Sequence, residues 1–156
     1  MANPIGILID LEEKLRRGMP ADFCELDMNY KMFFDEFPGG KRYIYARVVE
    51  GEVQAISIFG LEDPFKGIER YSVGYAVREN CRGRGLSVEA VNKGIAELSL
   101  VLKRMRIGRF YVEAQIDEKN IPSIKIAERL FPQPPFPFID YETGNPAKCF
   151  HKLITI

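Results

Sequence analysis

A long amphipathic helix between two strand patterns is the feature of this sequence that most restricts its fold. Residues Gly85 to Met105 place apolar side chains on one stripe at helical spacing, and Glu89 and Glu97 lie off that stripe. Strand patterns stand on either side of the helix, at Arg70 to Val77 and at Arg109 to Gln115. Two strands joined through one helix are expected to run parallel in the same sheet, with a right-handed crossover.

The other elements make the predicted sheet mixed rather than parallel. Tyr43 to Val49 and Val53 to Phe59 predict an antiparallel hairpin, because both are rich in β-branched and aromatic residues and a glycine lies between them. The segment from Leu11 to Arg17 fits either a short helix or an edge strand. The remaining predictions are a helix at Ala21 to Phe37, a loop at Gly60 to Gly67, a helix capped by Asn120 and ending near Leu130, and a closing strand at Cys149 to Ile156.

Charge balance and residue counts exclude several classes of protein. Lys and Arg together number 22, as do Asp and Glu, so the net charge is zero. Binding to nucleic acids or membrane surfaces needs an excess of positive charge on the protein, so neither partner is expected. Cys24, Cys81 and Cys149 form no CxxC pair, and with the single histidine, His151, they predict neither a disulfide framework nor a metal site. No apolar run suits a membrane span or signal peptide, so a cytoplasmic location is expected.

The segment from Val77 to Ser87 joins a strand to the long helix through two glycines and two arginines. Glycine permits positive φ, so successive amide groups can point into one concavity, and the helix start adds unpaired N–H donors. With the charges of Arg82 and Arg84 this predicts a pyrophosphate site; the alternative is a plain strand-to-helix turn. Val88 at the third glycine position excludes the dinucleotide fingerprint, and Arg42 after Gly-Lys excludes a Walker loop.

Five motifs follow one another in an order shared with a known family. They are Val73-Gly74-Tyr75-Ala76-Val77, Asn80-Cys81-Arg82-Gly83-Arg84-Gly85, Ser87-Val88-Glu89-Ala90, Glu113-Ala114-Gln115, and Asn120 to Leu130. Together they resemble the GNAT superfamily of acetyl-CoA-dependent N-acetyltransferases, and most closely its ribosomal-protein N-acetyltransferase branch. The family's pyrophosphate loop reads Gln or Arg, two residues, Gly, any residue, then Gly or Ala; this chain matches both glycines and departs at Asn80. The resemblance runs from about Leu15 to Leu130.

The resemblance implies a mixed, mostly antiparallel α/β (α+β) sheet whose fourth and fifth strands splay apart, in a single domain of residues 1–156. It also implies acetyl-CoA as co-substrate, bound without a metal in the gap between those strands. The residues implied to bind it are Ala76 and Val77 on the fourth strand, Arg82, Gly83, Arg84, Gly85, Leu86 and Ser87 at the pyrophosphate, Asn120 at the pantetheine arm, and Ser123 near the thioester sulfur.

The departures from the family concern acid–base chemistry. Many members carry a Tyr in the helix after the fifth strand, where this chain has Ala127, and the branch often carries an acid where this chain has Ser72. The candidate general base is Glu113, and the alternative for it is a solvated strand charge or a salt bridge. The candidate proton donor to the thiolate is Ser123, which could instead be a first-turn helix residue that bonds to the backbone. His151 is expected to be structural.

These observations predict an N-acetyltransferase in which a primary amine attacks acetyl-CoA directly within a ternary complex. The acceptor could be a protein N-terminus, an amino acid, a polyamine or another small amine, and a homodimer is left open. Two other classes remain: a non-catalytic acyl-CoA-binding or regulatory module that kept the cradle, and a nucleotide- or RNA-binding module that uses Arg82 and Arg84. Zero net charge disfavours the last of these.

Overall fold

The computed structural model describes residues 3–156, apart from the side chain of Phe37. Met1 and Ala2, which the predicted domain includes, lie outside the described residues. The helices and strands follow in this order: α1 (Pro4–Arg16), β1 (Asp22–Phe23), β2 (Tyr30–Phe37), β3 (Gly40–Val49), β4 (Glu52–Phe65), β5 (Ile68–Val77), a short 3-10 helix (Glu79–Cys81), α2 (Leu86–Arg104), β6 (Arg109–Asp117), α3 (Ile121–Leu130), β7 (Phe136–Ile139) and β8 (Pro146–Thr155).

All eight strands belong to one sheet, in the order β1-β2-β3-β4-β5-β6-β8-β7. Every neighbouring pair is antiparallel except β5 and β6, which run parallel and are joined through α2. The parallel crossover and the mixed, mostly antiparallel sheet expected from the sequence are therefore confirmed. None of the helices within residues 3–156 is long and apolar enough to cross a membrane.

Two apolar layers cover the two faces of the sheet. Helices α2 and α3 pack on one face, here called the α2 face, over a core that includes Phe59, Val112 and Phe150. Helix α1 packs on the opposite face, the α1 face, against β4 and β5, where Leu8 and Leu11 meet the strands. The segment around Leu11, left open between helix and strand by the sequence, is thus helical.

Helix α2 has the buried stripe that its sequence predicts, with two differences. Met105 at its end is exposed, and Glu97 is buried instead of lying on the solvent side. The carboxylate of Glu97 accepts hydrogen bonds from the backbone N–H groups of Glu25 (3.2 Å) and Leu26 (2.6 Å). A buried charge needs such donors, so Glu97 fixes the connection between β1 and β2 on α2.

The predicted helix from Ala21 to Phe37 is wrong, because this segment forms β1 and β2. Its aromatic side chains alternate at period two: Tyr30 enters the α2-face core, whereas Phe33 enters the α1-face core opposite Ile44. Pairing with β3 places Tyr30 and Phe33 in the cores on opposite faces of the sheet, while Phe34 stays half exposed. Pro38, Gly39 and Gly40 follow this segment and lie where β2 turns into β3, so they belong to the β2–β3 hairpin.

The predicted loop from Gly60 to Gly67 is also wrong. Strand β4 continues to Phe65, and Lys66 and Gly67 turn the chain into β5 with φ of 51° and 75°. Positive φ at both central residues is the geometry of a tight hairpin turn. The register slips by one residue between Glu62 and Phe65, so a β-bulge interrupts this extension.

Candidate functional site

A cleft opens between β5 and β6 because these two strands pair over only three residues each. The pairs are Arg70 with Tyr111, Tyr71 with Val112, and Ser72 with Glu113. Beyond Ser72 strand β5 runs on to Val77 without further pairing to β6, while β6 stays paired with β8 as far as Asp117. The splayed strands predicted for this family are therefore present, with their closed end at Ser72 and Glu113.

The first turn of α3 forms the wall of the cleft on the α2 face. Asn120 caps this helix through its Oδ1, which accepts from the backbone N–H of Ser123 at 3.3 Å. A hydrogen bond from Asn120 to a ligand would therefore come from its Nδ2. The hydroxyl of Tyr75 donates to the carbonyl oxygen of Ser123 at 2.9 Å and so ties β5 to α3. Burial raises the pKa of the Tyr75 phenol.

The loop after β5 has the geometry of an anion site. Gly83 and Gly85 adopt φ of 81° and 73°, and a Cβ added to either would have no atom within 4 Å, so the space in front of both is open. No side chain caps α2, whose first backbone hydrogen bond runs from the N–H of Glu89 to the carbonyl of Gly85. The amides of Leu86 and Ser87 therefore precede the helical hydrogen bonds, at the positive end of the dipole.

Charges around this loop separate into exposed and anchored groups. Arg82 and Arg84 are exposed, and Arg82 Nε donates to the carbonyl of Val77 at 3.4 Å. Arg78 instead anchors the start of the loop, because its guanidinium contacts the buried carboxylate of Glu12 on α1. The exposed arginines and the free amides together suit a pyrophosphate group, which carries several negative oxygens.

Cys81 lies inside the loop but is buried, with Sγ 3.5 Å from Glu52 Oε1. Burial and the Glu52 carboxylate raise the pKa of this thiol. Thiolates, not thiols, are nucleophiles, so the environment of Cys81 opposes a covalent acyl-cysteine step. Cys149, next to Glu113, is similar: burial and that carboxylate raise its pKa to about 12.

Glu113 lies at the closed end of the cleft, on the α1 face, with only 7 % of its surface exposed. Arg70 Nη1 approaches its Oε2 at 3.5 Å, and Gln115 Nε2 donates to its Oε1 at 3.2 Å. The alternative that the sequence left open, a strand carboxylate in a salt bridge, is thus present in the structure. Its role as base stays a prediction, as does that of Ser123 as acid.

Two further residues at the closed end, Glu62 and Arg70, were not among the candidates that the sequence offered. Ser72 Oγ donates to Glu62 Oε1 at 2.9 Å, and Arg70 Nε donates to the carbonyl of Asp63 at 3.0 Å. Glu62 and Arg70 face each other across the β4–β5 hairpin. A hairpin with its turn at Lys66 and Gly67 would place Glu62 and Arg70 opposite each other. The strand patterns on both sides of that turn are the sequence signal that could have shown this.

A profile described as an acetyltransferase (GNAT) domain matches residues 13–130, which is well over half of the chain. The chain belongs to the GNAT acetyltransferase family. The match covers β5, the loop after it, α2, β6 and α3, so every element of the cleft lies within the GNAT domain. The positive-φ glycines and the uncapped α2 of this GNAT chain fit the pyrophosphate of CoA. Within residues 3–156 no group of three or more His, Cys, Asp or Glu side chains is placed to hold a metal ion.

Solved GNAT structures share this fold. RimJ of Mycobacterium smegmatis, in complex with CoA-disulfide, is 15 % identical with a TM-score of 0.57, covering 72 % of this chain and 53 % of its own. The ribosomal L7/L12 N-acetyltransferase RimL, in complex with coenzyme A, is 18 % identical with a TM-score of 0.54 (74 % and 63 %). An acetyltransferase of Salmonella typhimurium that modifies the N-terminal serine of L7/L12 is 18 % identical with a TM-score of 0.51 (72 % and 64 %).

At sequence identities of 15–18 %, the similarity to these solved structures shows a shared fold alone. This GNAT chain spans between about half and two thirds of the length of these structures. A comparison with curated protein sequences finds no significant match.

Proposed function

We propose that this protein transfers the acetyl group of acetyl-CoA to a primary amine by direct attack. The observation that carries the proposal is the separation of β5 from β6 beyond Ser72 and Glu113, because the freed part of β5 ends at Val77, just before the loop with Gly83 and Gly85. The loop suits the pyrophosphate, and the part of β5 that is not paired with β6 (Ala76 and Val77 included) suits the pantetheine arm. Membership of the GNAT family and the CoA-bound RimJ and RimL support the same co-substrate.

Little chemistry is required of the protein in this reaction, because a thioester is already activated. The cleft aligns the amine with the carbonyl carbon, and a backbone amide of β5 stabilises the oxyanion. An acceptor that arrives as an ammonium must lose a proton, and the departing thiolate must gain one. Glu113 and Ser123 are the candidates that the sequence offers for these two steps.

The acceptor proposed here is an amine presented to the α1 face at the closed end of the cleft. The Salmonella neighbour modifies a protein N-terminal serine, which favours a peptide amine among the acceptors considered. We further propose that residues 1–156 act as one domain in the cytoplasm. The single sheet that runs from β1 to β8 and the free, buried state of all three cysteines support this.

A non-catalytic CoA-binding module is the second candidate, and one observation favours it. Ala127 stands where many GNAT enzymes have a Tyr; its side chain is a completely buried methyl group, so α3 has no hydroxyl at that position to act as an acid. Such a module would bind CoA through the same loop but release no product.

Turnover with chosen amines separates the two candidates. Acetyl-CoA is incubated with the protein and the tripeptide Ser-Gly-Gly, glycinamide or spermidine, and free CoA thiol and the acetylated amine are both measured. We expect at least one amine to raise CoA release well above the rate without acceptor, whereas N-acetylated Ser-Gly-Gly leaves that rate unchanged. Binding of CoA without amine-dependent release would favour the non-catalytic module.

A further inference from the structure

The closed end of the cleft carries a hydroxyl that is paired with an exposed carboxylate. Ser72 is the last residue of β5 that pairs with β6, and its neighbours Tyr71 and Val73 enter the α2-face core, so its side chain lies on the α1 face. Ser72 Oγ donates to Glu62 Oε1 at 2.9 Å and lies 3.4 Å from the carbonyl oxygen of Gly60. Glu62 belongs to the β4 extension, next to its bulge.

The two carboxylates at this end differ in what they are bound to. Glu113 is buried and paired with Arg70, which the carbonyl of Asp63 also holds. A proton on Glu113 would leave the Arg70 charge uncompensated in a partly buried place, which is costly. Glu62 is exposed and can pass a proton on to water. It is therefore the better final acceptor of a proton.

The thioester can reach this pair. Between Val77 and Ser72 strand β5 advances about 3.3 Å per residue, or about 16 Å in all. A pantetheine arm that starts from the phosphate loop and follows β5 in extended form is directed along this length toward the closed end, where the pairing of β5 with β6 stops it. An arm that spans this length would bring the acyl carbon beside Ser72.

We propose that Ser72 and Glu62 form the proton path that activates the acceptor amine. The acceptor ammonium gives one proton to Ser72 Oγ while the Ser72 hydroxyl proton passes to Glu62 Oε1, which releases it to water. The freed nitrogen lone pair forms the C–N bond, the C–S bond breaks with its electron pair on sulfur, and the second nitrogen proton ends on that thiolate. Ser72 touches the substrate, and Glu62 is a positioning and proton-accepting residue that acts through it. This inference rests on the proposed acetyl transfer.

The test is a pH profile of kcat/KM with acetyl-CoA and Ser-Gly-Gly, glycinamide and spermidine as probes. We expect Glu62→Gln and Ser72→Ala to lower kcat/KM by about 10²-fold or more near pH 7. The loss should shrink toward about pH 9, where an α-amine is neutral without help. Ser72→Thr keeps a hydroxyl and should restore most of the rate. Glu69→Gln is the matched control: it removes the same charge from the same hairpin, but its carboxylate bonds to Tyr71 Oη.

Each of the following outcomes would contradict the proton path through Ser72 and Glu62. An equal loss at every pH would mean that Glu62 only supports the fold, and an unchanged Glu62→Gln would remove it from the reaction. If Glu113→Gln alone gives the pH-dependent loss, the base is Glu113. A wild-type protein that binds CoA, as seen by thermal shift, but turns over none of the three probes would refute the proposed acetyl transfer and the proton path with it.

Discussion

At the scale of single residues, substitutions of Gly83 and Gly85 test the proposed phosphate site. A side chain added at either position would point into open space and clash with no other atom of the protein. Replacing either with Val should abolish CoA binding, because a β-branched side chain would occupy the anion space and disfavour positive φ. Isothermal titration of each variant with CoA measures the effect.

Gly144 provides a matched control for this substitution. It has the same φ as Gly85, 73°, and a Cβ there would also meet no atom within 4 Å, but it lies between β7 and β8, far along the chain from the loop. Gly144→Val therefore carries the same backbone strain and should still bind CoA. If all three variants bind equally, the phosphate site lies elsewhere.

The geometry of the loop at Gly83 and Gly85 could be predicted from sequence because it is local, and its binding of the cofactor stays a prediction. Two glycines, two arginines and a helix start within a few residues are enough to define an anion site. The carboxylates were not predictable in the same way: Glu97 binds backbone groups more than 70 positions away, and Glu12 reaches Arg78 across 66. From sequence, a charged residue on a helix is expected to face solvent. Its burial can be predicted only when the distant segment that packs on that helix is known.

At the scale of elements, the two errors have different causes. Helical and strand periods are hard to separate when aromatic residues are dense and the partner strand is unknown, as in Tyr30–Phe37. The alternation of side chains in Tyr30–Phe37 indicates a strand only once its pairing with β3 is known. The β4 extension was missed because Asp63-Pro64 resembles a turn, whereas in the sheet these residues form the bulge.

Helix α2 crosses β4 so closely that Gly94 is required for the packing. A Cβ at Gly94 would lie 2.5 Å from both Phe59 and Ser57 Oγ, and Phe59 is fully buried. Gly94→Ala should therefore lower the free energy of unfolding by about 1–3 kcal/mol, because overpacking outweighs the gain in helix propensity of up to about 1 kcal/mol. Urea denaturation followed by circular dichroism measures the change.

The same substitution in α1 separates packing from propensity. At Gly6 the nearest atom to an added Cβ is 4.0 Å away, so Gly6→Ala adds propensity without a clash. It should leave stability unchanged or raise it by up to about 1 kcal/mol. A Gly94→Ala protein as stable as Gly6→Ala would show that α2 can move away from β4 at no cost.

At the scale of the whole molecule, the parallel crossover was predictable, whereas strands β1 and β2 and the network at the closed end were not. One helix between two strands favours a parallel pair, which β5 and β6 form. The Ser72, Glu62, Arg70 and Glu113 contacts need β4, β5 and β6 in exact register, including a bulge. Such a network is a property of the assembled sheet, and no single segment encodes it.

Ligand-induced stabilisation tests the phosphate loop and the cleft in the intact protein. A ligand that binds only the folded state adds RT ln(1 + [L]/Kd), about 2.7 kcal/mol at a hundredfold excess over Kd. For a chain of this size we expect CoA and acetyl-CoA to raise Tm by about 5–11 °C. If the loop at Gly83 and Gly85 binds the diphosphate of CoA as proposed, adenosine 3′-phosphate and free pantetheine, which both lack that diphosphate, should each give a much smaller shift. The CoA shift should also fall with added salt, since Arg82 and Arg84 are exposed. A shift from pantetheine equal to that from CoA would place the binding energy in the cleft alone and remove the loop from the site.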